Sequence, residues 1–178
     1  MNNVEQSSPP NIFPLTRREF IRMGCTAISG SMAVGMAPAL SAAGLQAAPP
    51  GNYPAVDIAA LATINVDMPI PFTYPDTNSP AVLLRLRQPA PGGVGPNNAI
   101  VAYSALCTHK GCHVAFRPER KLLICPCHWS SFDPAKSGQM VIGQGSQALP
   151  QIALRVQGTR VQATGITGLI YGRETNIL

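Results

Sequence analysis

Two short loops hold four of the chain's five cysteines and two of its three histidines, and no other feature limits the fold as strongly. They are Cys107-Thr108-His109-Lys110-Gly111-Cys112 and Cys125-Pro126-Cys127-His128-Trp129-Ser130. In pattern form they read C-x-H-x-x-C, twelve residues, then C-x-C-H-x-S. Brought together on adjacent hairpin tips, two cysteines and two histidines can bind a metal. Such a sulfur and nitrogen set suits zinc or an iron–sulfur centre. Zinc fingers usually pair like ligands, two close cysteines and then two close histidines. Here each loop supplies one of each. That set can instead place both thiolates on one iron and both imidazoles on a second. Cys112 and Cys127 remain, one per loop, and a disulfide between them would clip the loops together. His113 lies outside the pattern and reads as an exposed loop residue.

The rest of the chain supplies a β scaffold for these loops. Ala59 to Val66, Ala81 to Arg87, Ala99 to Ser104, Lys121 to Ile124, Ile152 to Gln157 and Arg160 to Ala163 read as strands. In Ala81 to Arg87 the alternation predicts Val82, Leu84 and Leu86 on one face, with Arg85 and Arg87 pointing away. Gln157-Gly158-Thr159 is a hairpin turn between two strands, and Pro89 to Asn98 is a loop. Charged residues are only 12% of the chain, which excludes coiled coils and long charged helices. Aromatics at 6% and scattered basic residues exclude a nucleic-acid partner as a first reading. The expected fold is all-β and antiparallel, a small barrel or sandwich.

The N-terminus reads as an address. Thr16-Arg17-Arg18-Glu19-Phe20-Ile21-Arg22 resembles the twin-arginine export consensus, and a charge-free run from Met23 to Leu45 follows it. Ser41-Ala42-Ala43 offers a small-residue cleavage site. The expected layout is a signal over 1–43, a linker over 44–58 and one domain over 59–178. The run is 23 residues long, enough to span a bilayer if uncleaved. Its Gly24, Gly30, Gly35, Pro38 and Gly44 make it a poor permanent span, so release is expected, with membrane attachment only if the signal stays. Cys25 then belongs to the signal, which accounts for the odd cysteine count. The twin-arginine route exports folded proteins, often with a cofactor already in place. The expected location is the periplasm.

Cys107-x-His109, fifteen residues and Cys125-x-x-His128 together resemble the Rieske signature. The resemblance implies a Rieske-type antiparallel β barrel or sandwich with a small subdomain of two hairpin loops. It implies one [2Fe–2S] cluster held by Cys107, His109, Cys125 and His128, and a Cys112–Cys127 disulfide. It also gives roles to three neighbours. The serine matching Ser130 donates a hydrogen bond to a cluster sulfur. The residue matching Phe132 is typically Tyr in quinol-oxidising complexes, and Phe132 lacks that hydroxyl. Pro150 falls in a loop that shelters the cluster. A potential that is positive but below that of the quinol-oxidising proteins is therefore expected. Ring-hydroxylating oxygenases lack the two extra cysteines, so that branch is excluded.

Flanking segments narrow the resemblance. Tyr74 to Leu84, Pro91 to Pro96, Ile100 to Ser104, Gly138-Gln139-Met140, Leu149-Pro150-Gln151 and Leu169 to Arg173 are similar to the small Rieske subunits of arsenite oxidase. This implies an electron-transfer subunit with no turnover site of its own. Its partners would be a large molybdopterin subunit and a soluble cytochrome c or copper protein as acceptor. Three other readings compete: the Rieske subunit of a quinol:cytochrome c oxidoreductase, against which Phe132 and the interrupted apolar run argue; a structural zinc-binding module; and a soluble Rieske ferredoxin.

Overall fold

The computed structural model describes residues 52–177; the expected export signal over 1–43 and its expected cleavage site lie outside them. The described residues contain no α-helix. Ten strands form two antiparallel sheets. They are β1 (Val56–Ala60), β2 (Ile70–Thr73), β3 (Pro80–Arg85), β4 (Ile100–Ser104), β5 (Ala115–Arg117), β6 (Leu122–Ile124), β7 (Ser131–Asp133), β8 (Gln139–Ile142), β9 (Gln151–Gln157) and β10 (Arg160–Thr167). The larger sheet has the order β1-β10-β9-β4-β3-β2, and the smaller β5-β6-β7-β8. The smaller sheet is inserted between β4 and β9, so the chain leaves the large sheet, builds the second one and returns. The all-β antiparallel expectation holds.

One strand was expected to present a single apolar face, and another was expected at a different position. In β3 the expected alternation is only half of the arrangement. Val82, Leu84 and Leu86 do face one core. Ala81 and Leu83 fill a second core on the opposite face. β4 is divided in the same way, with Val101 and Tyr103 on one side and Ile100 and Ala102 on the other. Both strands are therefore buried on two faces, and that is why each reads as a near-continuous apolar run. The strand expected at Ala59 to Val66 instead begins at Val56 and ends at Ala60. There the chain turns into a single 3-10 turn, Leu61–Thr63, closed by Thr63 Oγ1 donating to the Ala60 carbonyl.

Four strands have no counterpart in the sequence reading: β2, β5, β7 and β8. β2 contains Pro71 and lies at the sheet edge, where a missing N–H costs no ladder bond. The other three belong to the small sheet and have three or four residues each, too short for a period to show. The β9–β10 hairpin closes as expected, with Gln157 paired to Arg160 and Gly158 at φ +58°.

The two sheets are held together by one core and two polar ties. The core joins Val82, Leu84, Val101 and Tyr103 of the large sheet to Phe116, Leu123 and Phe132 of the small one. Tyr103 donates its hydroxyl proton to the Pro134 carbonyl at 2.8 Å, a buried bond from β4 to the small subdomain. Asp67 accepts from Arg87 Nε and from Lys121 Nζ, both at 2.7 Å, so one carboxylate spans the loop after β1, the end of β3 and the β5–β6 turn. These ties fix the small sheet as a platform for the loops it carries.

Candidate metal centre

Each cysteine–histidine loop is closed by the same pair of backbone bonds. In the first, Cys107 N–H donates to the Cys112 carbonyl and Gly111 N–H to the Cys107 carbonyl, at 2.9 and 2.8 Å. In the second, Cys125 N–H donates to the Ser130 carbonyl and Trp129 N–H to the Cys125 carbonyl, at 2.8 and 3.0 Å. The residue four beyond the leading cysteine is left-handed in both, Gly111 at φ +70° and Trp129 at φ +61°. Glycine takes that conformation freely; tryptophan does so at a cost the surrounding loop must cover. A Cβ at Gly111 would also meet the Tyr171 ring at 2.7 Å.

The loops bring the predicted site residues to one place. Cys112 and Cys127 form a disulfide, Cα to Cα 6.5 Å, which joins the two loops covalently. The Sγ atoms of Cys112, Cys125 and Cys127 lie within 4.8 Å of one another, so the disulfide sits directly against one free cysteine. Cys107 and Cys125 carry free, buried thiols. Burial, with the Cys125 thiol alongside, pushes the Cys107 thiol up from its ordinary value. The rings of His109 and His128 meet edge to face with centroids 4.7 Å apart. His109 Nδ1 is buried and has no hydrogen-bond partner. A buried Cys107 thiol that ionises at a cost and an orphaned ring nitrogen are what a bound metal would satisfy: a cation would balance the thiolate charge and take the ring nitrogen's lone pair. The residues present therefore fit a cluster of two sulfur and two nitrogen ligands. Cys107 and Cys125 are buried, His109 is half-buried with its Nδ1 inside, and His128 is exposed.

Of the neighbours expected to matter, Ser130 and Phe132 lie beside the two loops. Ser130 is fully buried, and its Oγ accepts the Gln144 N–H at 3.0 Å. Phe132 is fully buried in the core that includes Cys107 and Cys125. Pro150 stands just before β9 and its carbonyl accepts the Ser104 N–H, so its hydrogen bond is to β4. Trp129 is 67% exposed beside His128. His113 is exposed, in line with a loop role.

Sequence reasoning missed the segment 143–147. Thr108 Oγ1 donates to the Gln147 carbonyl, Ser146 Oγ donates to the Thr108 carbonyl, and Gln144 N–H reaches Ser130. This third loop is thus bonded to both ligand loops. Its one sequence signal was the spacing of Gly143 and Gly145, which carries no chemistry by itself.

A small β platform presenting two disulfide-linked loops with two buried cysteines and two adjacent histidines defines an iron–sulfur electron-transfer protein. The comparisons with known proteins agree and specify which. The Rieske [2Fe–2S] domain family matches residues 71–153. The iodate reductase subunit IdrB of Denitromonas iodatirespirans is 33% identical over 165 residues, 91% of this chain and 86% of that one. IdrB of Pseudomonas sp. (strain SCT) is 32% identical over 164 residues, 90% and 84% of the two chains. The soluble domain of Rieske protein II (soxF) from Sulfolobus acidocaldarius has the same fold, with a TM-score of 0.61 at 22% identity over 68% of this chain and 82% of that one. The chain belongs to the Rieske [2Fe–2S] family, and its cofactor is a Rieske-type [2Fe–2S] cluster.

Proposed function

We propose that the chain is the electron-transfer subunit of an exported molybdopterin oxidoreductase that acts on an oxyanion, and that this enzyme is an arsenite oxidase. The observation that carries the subunit role is the extent of the likeness. It runs over 91% of this chain and 86% of an oxidoreductase subunit, far beyond the ligand loops. The flanking segments between Tyr74 and Arg173 support arsenite as the substrate of the large subunit. A second reading, reduction of iodate, is favoured by the role of the two relatives similar over nine-tenths of the chain, both iodate reductase subunits.

Cys107 and Cys125 would hold one iron, His109 and His128 the other. When bound, the cluster supplies one-electron transfer. The chain's own residues do the rest. The buried cysteines and Phe132 keep water from the inner side. His128 and Trp129 form the exposed side, where a redox partner can approach. Ser130 offers its hydroxyl proton to a cluster sulfur, favouring the reduced form. The acceptor is a soluble cytochrome c or copper protein in the periplasm, reached after twin-arginine export.

The test is purification of the tagged full-length chain with whatever large subunit accompanies it. Molybdenum in the complex, and arsenite-dependent reduction of the Rieske centre seen by electron paramagnetic resonance, are expected. Iodate-dependent oxidation of the pre-reduced centre, with no response to arsenite, would select the second reading. A chain purified without any molybdenum-containing partner would sink both.

A further inference from the structure

The Gln144 amide is the one partner that Ser130 Oγ has among the described residues. A serine hydroxyl has two lone pairs and one proton. With the Gln144 N–H occupying a lone pair, the oxygen is held in place and its proton is left for another acceptor. Ser130 is fully buried, so that acceptor is not bulk water.

The approach of Gln144 depends on the residue before it. Gly143 has φ +122°, a conformation that essentially only glycine adopts. A Cβ there would lie 2.6 Å from Ser130 Oγ and 2.8 Å from Ser130 Cβ, closer than real Cβ atoms come. Any side chain at position 143 must push the 143–147 loop away from Ser130 and lengthen the 3.0 Å bond. The bonds from Thr108 and Ser146 anchor the far end of the same loop, so it cannot simply slide to relieve the clash.

We propose that Gly143 and the Gln144 amide are positioning elements that set the reduction potential, by holding the Ser130 hydroxyl with its proton directed at a cluster sulfur. No proton is transferred: one electron enters the cluster from the donor subunit, and the oriented O–H stabilises the added negative charge. The proposal rests on the reading of Ser130 as a donor to the cluster, and the experiment separates the two.

Reduction potentials are measured by redox titration of the full-length, cluster-loaded chain carrying Ser130→Ala, Gly143→Ala, both together, or Gln144→Ala. Ser130→Ala is expected to shift the potential downward. Gly143→Ala should shift it in the same direction and by no more. The double variant should show no shift beyond that of Ser130→Ala, since both act through one hydroxyl. Gln144→Ala, which keeps the N–H, should leave the potential unchanged. If Ser130→Ala causes no shift, the reading of Ser130 fails. If it does, but Gly143→Ala matches the wild type or adds to Ser130→Ala, the positioning role fails alone. Hydrogen exchange at the Gln144 amide supplies a readout even if Gly143→Ala loses its iron. Slow exchange in the wild type that becomes fast in Ser130→Ala supports the proposal; fast exchange in the wild type overturns it.

Discussion

Position 132 carries a buried phenyl ring in the same core as Cys107 and Cys125. A hydroxyl on that ring would be one more donor near the ligand sulfurs. Phe132→Tyr is therefore expected to raise the reduction potential by roughly 60 mV, equivalent to about 1.4 kcal/mol for a one-electron couple and typical of one hydrogen bond to a charged group. Redox titration checks it, and an unchanged value would mean that the hydroxyl finds another partner. Trp129 and Gly111 show how residue type and backbone interact at this scale. They occupy equivalent left-handed positions, at φ +61° and +70°. One is a glycine packed under Tyr171, and the other is the most exposed large apolar side chain of the described residues.

At the level of elements, two cross-links have measurable weight. The Cys112–Cys127 bond joins loops 15 residues apart. Loop-closure entropy for about 15 residues is worth about 3 kcal/mol. Cys112→Ala is expected to cost up to that amount and to speed loss of visible cluster absorbance, because nothing covalent then holds the ligand loops in register. The second cross-link is Asp67, whose side chain is only 10% exposed. The Lys121 ammonium first, and the Arg87 guanidinium after it, hold its carboxyl below the ordinary carboxylate value against the opposing effect of burial. A carboxyl with a lowered folded pKa adds stability above its unfolded value, about pH 4, and loses it as pH falls through the folded value. Asp67→Asn should thus lower the melting temperature at neutral pH, by an amount equivalent to about 1–2 kcal/mol. The difference from wild type should close as the pH falls below about 4. A difference independent of pH would show that the carboxylate charge is not what ties the sheets. Asp76, bound by Arg173 at 2.7 and 2.9 Å, follows the same sign, and its carboxyl is likewise held low.

Considered as a whole, the molecule has one core that includes the ligand cysteines and one that does not. The second, built on Ile64, Tyr74, Leu83, Ile100, Ile152 and Val161, is closed without any contribution from the ligand loops. Removal of iron is therefore expected to act unevenly. Amide hydrogens of β3, β4, β9 and β10 should stay protected in the iron-free chain, while those of residues 107–130 should exchange much faster. Uniform loss of protection would mean that the cluster supports the entire fold. Charge is also distributed at this scale. Of the formal net charge of +5, residues 1–43 carry one unit, Arg17, Arg18 and Arg22 against Glu5 and Glu19, which leaves +4 on the rest of the chain.

The sequence by itself determined which groups the two loops carry, because residue type and spacing are local: C-x-H-x-x-C and C-x-C-H-x-S supply thiols and imidazoles however the chain folds. It also located β3, β4, β9 and the start of β10, whose period or unbroken apolar character extends over several residues. Tertiary structure alone decided three things. β3 and β4 divide their side chains between two cores, and a strand buried on both faces gives no clue to which residue faces which core. β5, β7 and β8 of the small sheet are stabilised by their neighbours rather than by any pattern of their own. The 143–147 loop reaches Ser130 and Thr108 across 14 and 39 residues of chain, through its backbone N–H and C=O groups, which every sequence possesses. Such contacts depend on where the backbone goes, and only the folded chain specifies that.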